Sequence, residues 1–210
     1  MTFRFCDERG PRGFSWLAEE RATRTSHALA ADGKVWLIDA LDWPEAVERA
    51  CGLGEPAGVI QLLDRHNRDC AALASRLAVP HVLVPDELPD SPFAFVCVKR
   101  SKRCWAESAL WWPAERTLLV AEALGTNRFF TGRKAPVGVH LLPRLTPPRM
   151  LAGFRPQGLL VGHGEGVFGP ETERAIEDAL RTSRRGLPGV LLRLPLAARS
   201  TRGPAPSRPR

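Results

Sequence analysis

The sequence lacks a run of about 18 uncharged apolar residues, the length a bilayer-spanning helix needs, so no such helix is expected. Its first residues, Met1-Thr2-Phe3-Arg4-Phe5-Cys6-Asp7-Glu8, contain no apolar h-region, so no secretory leader is read. The five cysteines, Cys6, Cys51, Cys70, Cys97 and Cys104, include no C-x-x-C pair. Their odd number and scattered spacing argue against a zinc knuckle or a disulfide framework. Free thiols in a reducing cytoplasm are the expectation. Gly162-His163-Gly164-Glu165-Gly166 lacks the Lys and Ser/Thr of a phosphate-binding loop. No G-x-S-x-G nucleophile elbow is present.

What remains is an ordinary globular composition, 44% hydrophobic and 25% charged over 210 residues, enough for one domain with a real core. The net charge of +7 is unevenly placed. Residues 181–210 hold eight Arg and no acid, leaving 22 basic against 23 acidic residues in 1–180. The body is therefore near neutral. A run of this kind reads first as a solvated tail and second as a hold on nucleic acid or anionic lipid. From Ser200 the composition narrows to Ser, Arg, Gly, Ala, Pro and Thr. A single domain over 1–198 and a disordered Arg/Pro-rich tail over 199–210 are predicted.

Local signals give an element order. Asp32-Gly33 between two apolar stretches, Ser26 to Ala30 and Val35 to Asp39, predicts a hairpin. Pro44 opens a helix through Ala50 that Gly52 and Gly54 end. Gly58 to Leu63 reads as a buried strand. It runs into the polar heptapeptide Asp64-Arg65-His66-Asn67-Arg68-Asp69-Cys70, then an Ala-rich helix stopped at Val79-Pro80. A strand at His81 to Val84 closes the first half. The second half has strands at Phe93 to Val98, Ser108 to Trp112 and Thr117 to Val120. Residues 136–150 are a Pro-rich connection, and Pro147 opens a short helix. A strand at Gly158 to Val161 and a helix from Glu171 to Leu180 follow. Two similar halves of strands and helices suggest two packed sheets with helices outside.

This order, over residues 26–180, resembles the metallo-β-lactamase superfamily. Leu29 to Asp39 is similar to that family's opening x-L-x-x-D-G-x-x-x-L-I-D. Thr117 to Leu124 is similar to its T-L-h-x-G-D-x-L, and Gly162-His163-Gly164 to its late G-H-G. The resemblance implies an α/β (α+β) fold, a four-layer αββα sandwich. It also implies two zinc ions held by an H-x-H-x-D-H loop, where alternate imidazoles grip one ion and Asp with His grips the second. Here Arg65, Asn67 and Cys70 stand where the three His belong, and Asp69 alone is unchanged. Counting back from Pro113 puts Arg103 at the next ligand position. Glu122 replaces the bridging Asp, and His163 matches the last His.

A guanidinium stays protonated and offers no lone pair, so Arg65 and Arg103 should close the first pocket. The resemblance thus implies a vestigial cleft of Arg65, Asn67, Asp69, Cys70, Arg103, Glu122 and His163, with no cofactor expected. If one zinc, iron or manganese ion remains, Asp69, Cys70, Glu122 and His163 are its expected ligands. Bland readings stand beside each: Cys70 as a small core residue, Asp69 as a helix N-terminal acid, His163 as a structural histidine, and His66 as packing or surface. Trp105, Trp111 and Trp112 read as core. Three functions follow: a metal-free domain binding a small molecule or protein, a hydrolase with one residual ion, and a nucleic-acid-associated protein using the basic end. No catalytic residue and no membrane partner is assigned.

Overall fold

The structure, a computed structural model, describes residues 1–66, 68–101, 105–132 and 135–184. Asn67, Arg103, Cys104 and the expected tail at 199–210 lie outside the described residues. In chain order the strands are β1 (Phe3–Cys6), β2 (Gly13–Ala18), β3 (Thr25–Ala31), β4 (Lys34–Ile38), β5 (Glu55–Gln61), β6 (His81–Leu83), β7 (Ala94–Ser101), β8 (Trp105–Trp112), β9 (Thr117–Val120), β10 (Leu124–Gly125), β11 (Gly138–Val139), β12 (Gly158–Val161) and β13 (Val167–Phe168). The helices are α1 (Pro44–Cys51), α2 (Cys70–Leu77), α3 (Arg128–Thr131) and α4 (Thr172–Thr182).

The strands form a six-stranded sheet, β1-β2-β3-β4-β5-β6, and a five-stranded one, β13-β12-β9-β8-β7, with a small β10-β11 pair. Both large sheets are mixed. The first is antiparallel through β4 and parallel from β4 to β6. In the second, β9 and β12 run parallel while the other pairs are antiparallel.

Period-two alternation in the sequence explains how the layers stack. Leu29, Trp36, Ile38 and Ile60 point one way and meet Leu110, Trp112, Leu119 and Leu160 of the second sheet. Their neighbours Ala28, Ala30, Val35, Leu37 and Val59 point the other way, onto Ala46, Val47 and Ala50 of α1 and Leu73 of α2. Likewise Leu118, Val120, Leu159 and Val161 turn outward onto Ile176, Ala179 and Leu180 of α4. The central strands of each sheet are buried on both faces, and the result is the αββα sandwich.

The hairpin at Asp32-Gly33 has both turn residues at positive φ, 51° and 74°, as a tight two-residue β-turn requires. Pro44 sits in the first turn of α1, where its missing N–H costs nothing. Trp105 and Trp112 are core residues, and Trp111 packs on Phe154.

Three features depart from the sequence reading. β1 and β2 precede the predicted opening hairpin and extend the first sheet. Their junction depends on Gly13, where an added Cβ would fall 1.9 Å from the Ala28 carbonyl oxygen. β7 and β8 are longer than predicted and pair along almost their whole length. The segment opened by Pro147 is the 3-10 turn Arg149–Phe154, and the Pro-rich connection also contains β11. Among the described residues no helix is long and apolar enough to cross a membrane.

Candidate functional site

Loops after β5, β9 and β12 converge at one end of the sandwich, where two cross-links tie the sheets together. At the first, the Ser108 N–H donates to the Leu62 carbonyl and the Asp64 N–H to the Ala106 carbonyl, both at 3.0 Å. At the second, Arg24 bridges to His163, and the Thr25 N–H donates to the Gly162 carbonyl at 2.9 Å. The side chains between these staples form two neighbouring polar clusters.

The outer cluster centres on Glu122, just past β9. Arg65 Nη2 lies 3.6 Å from Glu122 Oε2, and His140 Nε2 lies 3.4 Å from Oε1. The Arg65 guanidinium also sits over the Trp105 ring, 4.2 Å from its centroid. It is thus fixed by an acid on one side and a π-face on the other. Burial keeps His140 below the usual imidazole range, against the pull of Glu122.

Behind it lies Glu107, fully buried on β8, a residue the sequence reading missed. Glu107 Oε1 accepts from the Glu122 and Ala123 N–H groups at 2.9 and 3.0 Å, and Oε2 accepts from Trp105 Nε1 at 2.7 Å. Burial pushes its carboxyl up to about 7; the three donors pull the other way, and Glu122 adds to the rise. The signal available in sequence was one acid inside the apolar strand Trp105 to Trp112, a pattern that usually marks a buried partnered group.

The inner cluster is built on Asp39, which is wholly buried at the end of β4. Its Oδ1 accepts from the Leu62 N–H at 3.0 Å, and Oδ2 faces His66 Nδ1 at 3.5 Å. Burial opposes ionisation, yet the His66 ring, Arg68 and the Leu62 N–H together hold this carboxyl below its ordinary range. Arg68 Nη2 donates to the Gly162 carbonyl at 3.0 Å, while its Nε and Nη1 are buried without an acceptor. His27 faces Ser15 at 2.7 Å, and burial drives its pKa down to about 3. His66 is therefore an inward residue of this cluster and not a surface one; its ring meets His163 edge-on at 5.7 Å.

The expected cleft residues divide between places. Arg65 and Glu122 come together. His163 stands on the far wall, its Nδ1 donating to the Ala22 carbonyl at 2.9 Å and its pKa lowered to about 4 by burial. Asp69 turns to the other side of its loop, where Oδ2 accepts from the Asp42 N–H at 2.8 Å. Cys70 lies in the apolar cluster between the first sheet and its helices, with Sγ toward the Ala40 carbonyl. Burial pushes its thiol up to about 12.

That placement predicts thiol reactivity. Cys51 and Cys97 are exposed, Cys6 and Cys70 buried. Alkylation of the native protein followed by peptide mapping should modify Cys51 and Cys97 first, and Cys6 and Cys70 only on unfolding. Rapid native labelling of Cys70 would count against its core position.

Solved structures match this arrangement. The metallo-β-lactamase from Pontibacter korlensis superimposes with a TM-score of 0.60 at 10% identity, over 86% of this chain and 99% of that one. The metallo-β-lactamase from Hirschia baltica gives 0.58 at 7% identity, over 87% and 98%. DIM-1 metallo-β-lactamase exposed to ceftazidime gives 0.59 at 11% identity, over 86% and 97%. No family model matches the sequence, and no curated protein does. The chain has the metallo-β-lactamase fold.

Zinc, the metal of that fold, fits poorly here. Among the described residues no three His, Cys, Asp or Glu side chains converge as ligands. Arg65 brings a cation to Glu122, Asp69 is engaged with backbone, and Cys70 is a high-pKa core thiol. A metal site needs deprotonated, convergent donors.

Proposed function

We propose that this chain uses the metallo-β-lactamase sandwich as a metal-independent binding domain and not as a dinuclear zinc hydrolase. The observation that carries the reading is Arg65, 3.6 Å from Glu122 and stacked 4.2 Å over Trp105. Removing ions from a cleft leaves carboxylates unbalanced, and a fixed guanidinium supplies the missing positive charge. The same charge repels a divalent cation approaching Glu122. The cleft then presents a guanidinium and an imidazole, groups that recognise a small molecule or a protein side chain by hydrogen bonding, with the buried Trp105 ring backing the guanidinium.

The test is elemental analysis of protein expressed with zinc, iron and manganese supplements. Well under one equivalent of each is expected, with no chelator-sensitive turnover of lactams, thioesters or phosphodiesters. Two equivalents of zinc together with chelator-sensitive turnover would overturn the reading. One equivalent, lost in both Cys70→Ala and His163→Ala, would favour a single-ion hydrolase instead.

A further inference from the structure

Leu142 and Leu145 are 60% and 62% exposed, more than any other leucine among the described residues. Leu142 opens the 3-10 turn Leu142–Arg144 and Leu145 follows it, and residues three apart in such a turn share a face. Arg144, itself buried, holds the turn from behind. Its Nε donates to the Val139 carbonyl at 3.0 Å and its Nη2 to the Phe130 carbonyl at 2.6 Å. The two leucines therefore cannot turn inward without breaking these bonds. The same turn orients a residue of the cleft: the Leu142 N–H donates to His140 Nδ1 at 3.3 Å, leaving Nε2 toward Glu122.

The described chain also ends at this place. Ser183 Oγ donates to the Arg144 carbonyl at 3.2 Å, and Arg184 Nε donates to the Leu145 carbonyl at 2.9 Å. Arg184 is the last described residue, and residues 185–210 follow it in the sequence. Within them, Leu187 to Leu196 hold five Leu and one Val against a single charge, Arg193. Leu187 is three residues past Arg184, so it lies within about 10 Å of it. A segment tethered so closely meets the exposed leucines at a high effective concentration, ahead of any free partner. Gly186, Pro188 and Gly189 are residue types that end a helix and turn a chain.

We propose that residues 187–196 fold back as an apolar strap over Leu142 and Leu145. Both surfaces gain by leaving water, and the segment is long enough to cover the pair. With the strap seated, the turn that presents His140 to Glu122 is braced from two sides, by Arg144 beneath and by apolar packing above. The basic stretch from Arg199 then begins beyond the strap. The docking does not rest on the metal-independent reading of the cleft.

The test is thiol labelling of the full chain carrying Leu191→Cys or Leu192→Cys, read site by site by peptide mapping. Each rate is compared with that of the same thiol in the urea-unfolded chain. At least one of the two thiols is expected to react about tenfold or more slowly in the native protein, independently of protein concentration. Adding Leu142→Asp/Leu145→Asp, at positions already exposed, should abolish that protection. Cys70 should stay unlabelled in the same sample, which separates release of the strap from unfolding of the core. Labelling of both thiols at the unfolded rate would overturn the proposal, as would protection that survives the aspartate variant. Protection that falls on dilution would give the leucines to a second copy of the chain. Protection that needs anionic phospholipid vesicles would give the segment to a membrane surface. Either of these results also overturns the strap.

Discussion

Replacing Glu107 by alanine is expected to destabilise the protein by about 4 kcal/mol or more, because three buried donors lose their acceptor at about 1–3 kcal/mol each. Those donors are the Trp105 indole and the Glu122 and Ala123 N–H groups, which shape the turn beneath Arg65. Glu107→Gln can keep its single oxygen as acceptor for the two backbone groups but then turns its amide N–H₂, a donor, toward the Trp105 N–H. Its cost should be about 1–2 kcal/mol, that of one impaired buried hydrogen bond. Urea denaturation followed by tryptophan fluorescence measures both. A loss under 1 kcal/mol in the alanine variant would show that this carboxylate does not hold the turn.

Glu107 also has a pH signature. Its folded pKa of about 7 stands above the ordinary 4.5, so the folded state binds the extra proton, and this stabilisation fades as pH rises from 4.5 to 7. His27 and His163 act oppositely. Their folded values of about 3 and 4 lie below 6.5, so the unfolded chain gains protons as pH drops under 6.5 and stability falls. Asp7, whose carboxyl burial also raises, acts with Glu107, but between pH 4.5 and 6.5 the two imidazoles outweigh Glu107, a net slope for these three groups of about 1.4 kcal/mol per pH unit. Burial lowers His140 too and adds in the same direction. Glu107→Gln should steepen that slope to about 2.7 kcal/mol per unit. An unchanged slope would mean that Glu107 titrates alike in both states.

The other large effect is expected at Asp39. Asp39→Ala removes the buried carboxylate that balances Arg68 and accepts from the Leu62 N–H. An uncompensated buried guanidinium costs about 3–5 kcal/mol, whereas replacing both members of a buried pair by apolar groups is often neutral. Asp39→Ala/Arg68→Met should therefore recover much of the loss. Asp39→Asn should fall between, since its amide oxygen still serves Leu62. If the double variant proves no more stable than Asp39→Ala, charge balance is not what the aspartate provides.

How far the fold could be read from sequence depended on the range of the signal. The Asp32-Gly33 hairpin, the Pro44 helix and the alternation in β3, β4 and β5 are local, written within a few residues, and are found in the structure. β1 and β2 escaped because Phe3 to Cys6 is short and half exposed, and because Gly13 marks a close approach to Ala28, fifteen positions on. At the site, Arg65 and Glu122 were legible because both fall at positions matched to the family's ligands, the first with a guanidinium that cannot ligate and the second with a carboxylate in place of Asp. Glu107 and Asp39 were not, since each acts through backbone groups of a distant segment. Cys70 and Asp69 stand in the expected loop, but the loop's turn directs the thiol into apolar packing and the carboxylate toward Asp42.

The Gly162 carbonyl serves two masters, the Thr25 N–H in the third strand and the Arg68 guanidinium ahead of α2. This has a consequence for synthesis on the ribosome. Strands β1 to β6 emerge first, carrying a charged guanidinium and the amide at the start of β3 whose common acceptor is still untranslated. Asp39 is already present to balance the Arg68 charge, but the hydrogen bonds of Arg68 Nη2 and the Thr25 N–H stay unmade until residue 162 has cleared the exit tunnel. Nascent chains arrested before that point should therefore be more protease-sensitive in their first sheet than chains arrested after it.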